Sequence, residues 1–184
     1  MNIANPNVPL HPFVSGQLLY LPPDCQSGVI LQYRHYAGFA GAGAAVGGCL
    51  DVKSLSVYTI GNVRFEMPET YQQRQRAFQR RIAYAQALCK IAAVHSSLQR
   101  AYLIVRQLCL WLDPQDAKAI PHELLCQLVG VLPRSIDAGW QQYLQHCHSK
   151  ESHHISSSHP IQVDHSHYQK AKPNIQVPVS VVNL

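Results

Sequence analysis

Six cysteines, eleven histidines and ten carboxylates are the residues of this chain that could carry catalysis or hold a metal. The cysteines, Cys25, Cys49, Cys89, Cys109, Cys126 and Cys147, lie 17 to 40 residues apart and form no C-x-x-C pair. A structural zinc site is built from closely spaced pairs, so this spacing argues against one and for reduced thiols. Cys109 and Cys126 fall inside apolar helical pattern and are expected to be buried. The histidines crowd towards the C-terminus as His146, His148, His153, His154, His159, His165 and His167, with Cys147 among them. Imidazoles at that density can take zinc, copper or nickel, but the spacing matches no defined site and an irregular chain must first be ordered. The reading is a low-complexity tail with no metal. The carboxylates are scattered, with no Gly-x-Ser-x-Gly elbow and no His-Glu-x-x-His. The single glycine-rich run, Gly38 to Cys49, contains no Lys-Ser/Thr step and no Glu or Arg to hold a phosphate or a ribose. Its glycines are read as turn formers. Neither an enzyme nor a cofactor is expected.

The elements that would position any site follow from composition. At 184 residues, 47% hydrophobic and 14% charged, the chain can build one ordinary domain or two small ones. Fifteen basic against ten acidic residues give a formal charge of +5, a mild bias towards an acidic partner. No apolar run approaches the ~20 residues of a membrane span. Met1 to Val14 has neither a basic nor an apolar leader segment, so a cytoplasmic location is expected. Residues 1–68 hold most of the glycine and short apolar runs at Gly16 to Leu21, Val29 to Tyr33 and Leu55 to Ile60, which suit short strands. Residues 69–145 have apolar positions at helical spacing, and their prolines, Pro114, Pro121 and Pro133, stand where helices would begin. From His146 the chain turns to His, Ser, Gln and Pro with no sustained period, so a flexible tail is expected over residues 146–184.

Residues 69–95 predict one long helix. Its positions Tyr71, Phe78, Ile82, Ala85, Cys89 and Ala92 step by 7, 4, 3, 4 and 3, a heptad seam interrupted at Gln75. Such a seam needs a partner: either a second copy of the helix, making a homodimer, or the β-rich part of the same chain. Ala85 and Ala92 would let two helices approach closely, with Cys89 facing its own copy. A second helix, about Ser96 to Leu112, carries Leu98, Tyr102, Val105, Leu108, Cys109 and Leu112 on one broad face. Two shorter helices follow, about His122 to Val129 and Arg134 to Gln145, separated by Gly130-Val131-Leu132-Pro133. Two short amphipathic helices around a glycine-containing turn are the signature of a helix-turn-helix.

The stretch from Ile120 to Leu144 resembles the DNA-binding motif of the Crp/Fnr superfamily of bacterial transcription regulators. The resemblance lies in Glu123-Leu124-Leu125 and Leu128-Val129-Gly130 of the first helix, and in the preceding order of a long helix and an Arg100 to Leu112 helix. It covers about residues 70–145. It implies an α+β fold: a shortened, β-roll-like N-terminal part (1–68), a dimerisation helix (69–95), a helix-turn-helix domain (96–145) and the tail. It also implies DNA as partner, with Arg134, Ser135 and Gln141 on the recognition helix and Lys118 ahead of the motif as contacts.

Three departures qualify that reading. The family's recognition helix opens on Ser-Arg-Glu-Thr-(Val/Ile)-Ser-Arg, where this chain has Leu132, Pro133, Arg134, Ser135, Ile136, Asp137 and Ala138. Both motif arginines, the usual bidentate readers of guanine, are therefore replaced. The family's sensor roll is longer than 68 residues, and its Gly-Glu phosphate cassette has no counterpart here. Charge is displaced too. Asp113 to Leu144 holds four acids (Asp113, Asp116, Glu123, Asp137) against Lys118 and Arg134, whereas Tyr71 to Leu112 holds seven basic residues and no acid. DNA affinity comes largely from phosphate neutralisation, so this placement keeps a second expectation open. In it, a protein-interaction module of the same architecture has lost operator reading and offers its basic helices to an acidic protein surface.

Overall fold

The computed structural model describes residues 16–155, with residues 148–155 described at the level of the backbone. The fold is α+β. Strands β1 (Leu18–Tyr20), β2 (Gly28–Gln32), β3 (Ala37–Ala40) and β4 (Ala45–Gly47) lead into a single helical turn α1 (Gly48–Asp51) and strand β5 (Ser56–Ile60). Helices α2 (Tyr71–Ala92), α3 (Ser97–Trp111), α4 (Pro114–Lys118), α5 (His122–Val129) and α6 (Pro133–Ile155) follow.

All pairing is antiparallel. β2 lies between β3 and β5, with Ile30 opposite Phe39 on one side and Tyr58 on the other, while β1 and β4 form a separate two-stranded ribbon. β2 is buried throughout its apolar length and therefore alternates between two cores. Val29 and Leu31 face Leu19, Leu21, Val46 and Val57 beneath the ribbon. Ile30 faces the other way and joins Phe39, Ile60, Leu88, Ile104, Leu108 and Leu125. The second core holds sheet and helices in one body: Phe39 stacks on Trp111 with ring centroids 5.0 Å apart, and Tyr84 meets both rings edge-on. The N-terminal strands thus share their larger apolar face with the helices.

The strands at Leu18–Tyr20, Gly28–Gln32 and Ser56–Ile60 fall on the three apolar runs of the sequence. The glycine-rich run does more than turn, because all of β3 but Ala37, the whole of β4 and the start of α1 lie in it. Its glycines serve close approach as well as conformation. A Cβ at Gly41 would come 2.8 Å from the Tyr84 hydroxyl oxygen, and Gly43, Gly47 and Gly48 have positive φ.

Helix boundaries follow local signals. Thr70 caps α2, its hydroxyl accepting from Gln73 N–H at 3.1 Å while the Gln73 side chain accepts from Thr70 N–H at 3.0 Å. Ser96 caps α3, and Asp113 caps α4 by accepting from Gln115 N–H at 2.8 Å, with Pro114 in the first helical position. The last helix corrects two expectations: it runs to Ile155 rather than stopping near Gln145, so a tail beginning at 146 is wrong by about ten residues. Ile136, Trp140, Tyr143 and Cys147 step by 4, 3 and 4 residues, and no glycine or proline interrupts the chain between Gly139 and Pro160. The change in composition at His146 hid that continuity. His159, His165, His167 and the apolar stretch Val177 to Val182 lie outside the described residues.

A candidate nucleic-acid interface and an unpaired helix seam

The helix-turn-helix is built from α5, a three-residue turn and α6. α5 ends where Gly130 takes the left-handed conformation (φ 65°, ψ 53°), and its N–H donates to the Cys126 carbonyl at 2.8 Å. Val131 N–H donates to the same carbonyl at 3.2 Å, turning the chain into Leu132 and Pro133. α5 is held from within by Leu124, Leu125, Cys126, Leu128 and Val129, all buried. α6 packs along α3. Gly139 makes this possible, because a Cβ there would stand 2.7 Å from the Ala101 carbonyl carbon and 2.9 Å from Tyr102 N.

That packing fixes which side of α6 looks out. Ile136 and Gly139 are buried and Trp140, Tyr143 and Cys147 half-buried towards α3, so the opposite side carries Arg134, Asp137, Gln141, Leu144 and Gln145, all exposed. Arg134 and Gln141, seven residues apart, share that outward side. Ser135 is half-buried at its edge, and Lys118 is exposed in the last turn of α4, on a different element. Asp137 sits among the outward residues. Its Oδ1 lies 3.3 Å from His122 Nδ1 at the start of α5.

The long helix separates two functions that the sequence left as alternatives for one seam. Ala77, Leu88 and Ile91 are buried and Arg81 and Tyr84 half-buried; this is the side on which α2 meets the sheet and α5. The heptad seam lies beside it and is not used. Tyr71 is 76% and Ile82 54% exposed, Ala85, Cys89 and Ala92 are exposed, and Phe78 alone is half-buried. Packing of the seam on the chain's own β-rich part is thereby overturned.

Two of the seven basic residues between Tyr71 and Leu112 are structural. Arg100 reaches across from α3, donating through Nη1 to the Val94 carbonyl at 2.7 Å and the His95 carbonyl at 3.3 Å, and through Nη2 to the Gly130 carbonyl at 3.0 Å. It ties the end of α2 to the turn of the helix-turn-helix. Arg81 pairs with Asp51, which is fully buried, at 3.0 Å. Asp51 also accepts from the Tyr33 hydroxyl and, through Oδ2, from Gly47 N–H at 2.7 Å. The Tyr33 phenol is pushed well above its usual range, by burial first and by the hydrogen bond to Asp51 second. Arg74, Arg76, Arg80, Lys90 and Arg106 remain on the surface.

The described cysteines are all free: Cys126 is buried as expected, Cys109 is half-buried, and Cys49 and Cys89 are exposed. Burial raises the Cys109 and Cys126 thiols above the ordinary value. Among the described residues no cluster of three or more His, Cys, Asp or Glu could hold a metal, and no helix is long and apolar enough to cross a membrane.

Sequence reading missed the role of Gly139, although a glycine inside a helix is a signal, since it costs helix stability and calls for a packing reason. It also missed the Asp51–Arg81–Tyr33 cluster, whose members lie far apart in the chain and carry no motif. No family model, curated protein or solved structure matches this chain.

Proposed function

We propose that the chain is a DNA-binding transcriptional regulator of Crp/Fnr-like architecture, acting in the cytoplasm as a homodimer joined through α2. The observation that carries the reading is the outward side of α6. A short helix, a left-handed glycine turn and a second helix present Arg134 and Gln141, with Ser135 at the edge, free of intramolecular packing. The seam Tyr71, Phe78, Ile82, Ala85, Cys89 and Ala92, exposed at every position but the half-buried Phe78, supports pairing of two copies, and paired motifs read two half-sites. Lys118 and the exposed cations of α2 and α3 supply positive charge for phosphate.

The second reading, a protein-interaction module without operator reading, is favoured by Asp137, a carboxylate 61% exposed in the middle of the same outward side. Mobility-shift titration against genomic fragments at two salt concentrations separates them. Regulator function predicts shifted fragments, affinity that falls steeply with salt, and a loss of ~1–3 kcal/mol for Arg134→Ala at preferred sites. If no fragment shifts at moderate salt, the regulator reading fails. An acidic protein retained through Arg76, Arg80 and Lys90 would then carry the second.

A further inference from the structure

Two cysteines come together where α6 lies along α3. The close approach of Gly139 to Ala101 sets the register of the two helices. Further along α6, Tyr143 meets Cys109 of α3, so both helices run the same way from that contact. Eight residues on from Ala101 stands Cys109, and eight on from Gly139 stands Cys147, an equal rise of about 12 Å along each helix. Tyr143, one turn before Cys147, joins the pair, because its hydroxyl makes side-chain hydrogen bonds with both thiols. Cys109, Tyr143 and Cys147 are each half-buried, which leaves the cluster open to small solutes. Neither thiol belongs to the seam of α2 or to the outward side of α6.

We propose that Cys109 and Cys147 form an oxidation site, in which hydrogen peroxide converts the two thiols into an intramolecular disulfide and a small thiol reductant reopens it. The Cys147 thiolate attacks the peroxide: an S–O bond forms, the O–O bond breaks, and the second oxygen leaves as hydroxide and takes up a proton. The Cys109 sulfur then attacks the sulfenic acid on Cys147. The S–S bond forms, the S–O bond breaks, and a second water leaves with the proton of Cys109. Two thiols and one peroxide thus give one disulfide and two waters. Burial raises the Cys109 thiol, with the hydrogen bond from Tyr143 acting in the opposite sense, so Cys109 is the resolving partner. The Tyr143 hydroxyl is itself pushed well above the usual phenol range, by burial first, and stays protonated between the two sulfurs. The chain between the two cysteines contains α4, α5 and the first part of α6, so the bond closes the whole helix-turn-helix into one covalent loop. Such a loop restrains the unfolded chain and stabilises the folded one.

The test is oxidation of the full chain carrying Cys89→Ser, which removes the seam thiol, with a modest excess of hydrogen peroxide near neutral pH. Remaining thiols are alkylated, and the chain is digested with trypsin without reductant and read by mass spectrometry. Cleavage after Arg106, Lys118, Arg134 and Lys150 puts Cys109 in the peptide Gln107 to Lys118 and Cys147 in Ser135 to Lys150. These two peptides should appear joined as the main cross-linked species, and dithiothreitol should separate them. The oxidised chain should unfold at a urea midpoint ~1–2 M above the reduced one, the shift expected when a disulfide closes a loop of this length. Cys147→Ser in the same background should lose both the joined peptide and the shift. Unjoined peptides under conditions that oxidise the exposed Cys49, joining of Cys147 to Cys25 or Cys49 in equal yield, or a midpoint lowered by oxidation would each overturn the proposal. No DNA is present in these measurements, so their failure leaves the regulator reading standing, and the reverse holds too.

Discussion

Gly139 offers the sharpest test of how the helix-turn-helix is assembled. The Gly139→Ala substitution adds one methyl group where α6 crosses α3, with its carbon 2.7 Å from the Ala101 carbonyl carbon and 2.9 Å from the Ala101 oxygen and Tyr102 N. Carbon pairs are most favourable near 3.5–4.0 Å, so the two backbones must separate by about 1 Å. Neither neighbour is a flexible side-chain end that could move aside. Overpacking of this kind costs ~1–3 kcal/mol, while replacing a mid-helix glycine by alanine returns ~0.5–1 kcal/mol through backbone entropy. The net expectation is a loss centred near ~1 kcal/mol and at most ~2.5 kcal/mol. With a urea m value of ~2 kcal/mol/M, the unfolding midpoint should fall by ~0.5 M and at most by ~1.2 M. Gly130→Ala is the matched control, because nothing lies within 4 Å of its Cβ and its cost comes solely from left-handed φ, ~1 kcal/mol. The two glycines also differ in consequence. Gly139→Ala displaces the outward side of α6 relative to α5 and should weaken DNA binding beyond its loss of stability, whereas Gly130→Ala should perturb the turn alone. A Gly139→Ala midpoint equal to or above that of the parent chain would refute the close-approach reasoning.

Mild oxidation should give a covalent dimer on non-reducing gels that disappears in Cys89→Ser, and sedimentation showing a monomer at all accessible concentrations would remove pairing through the seam. Arg100→Met should destabilise the chain by ~1.5–3 kcal/mol in urea melts, with Arg100→Lys recovering part of it, because an ammonium cannot span carbonyls on both the α2–α3 connection and the turn as the guanidinium fork does. Alkylation near pH 8 should reach Cys49 and Cys89 first and Cys126 last, since burial raises the Cys126 thiol and lowers its thiolate fraction; mass spectrometry resolves the order. Burial also raises Tyr33 and Tyr84, so the unfolded chain releases their protons before the folded one does. Their contribution to stability is then complete below ~pH 10, the ordinary phenol value, and is lost as pH rises through the folded values; a melting temperature that rises above pH 10 would contradict this.

The helical part was legible because its signals are local. Thr70, Ser96 and Asp113 announce their helices, and α5 runs over His122–Val129 as its apolar spacing predicts. The hidden features depend on contacts between distant residues. Phe39 stacks on Trp111 and Arg81 reaches Asp51 across thirty positions, and neither pairing leaves a trace in spacing. The C-terminal extension of α6 is a middle case: its apolar period continues through Tyr143 and Cys147, but a composition of histidine and serine masks it.

Charge totals misled for a related reason, and α2 makes the point residue by residue. Counting cations treats Arg81 like Arg80, although one neighbour points inward to Asp51 and the other lies on the surface. Only Arg81 has its charge matched by an acid, since Arg100 bonds to carbonyl oxygens, and the cations left on the surface of α2 and α3 are Arg74, Arg76, Arg80, Lys90 and Arg106. The opposition between a negative reading head and a positive support region is thus smaller by one charge than the sequence suggests. Asp137→Asn tests what remains. If the outward side of α6 meets phosphate or base edges, removing the Asp137 carboxylate should strengthen duplex binding severalfold at low salt, and the gain should shrink as salt rises. If the chain instead holds an acidic protein through the basic helices, the same substitution should leave duplex affinity unchanged.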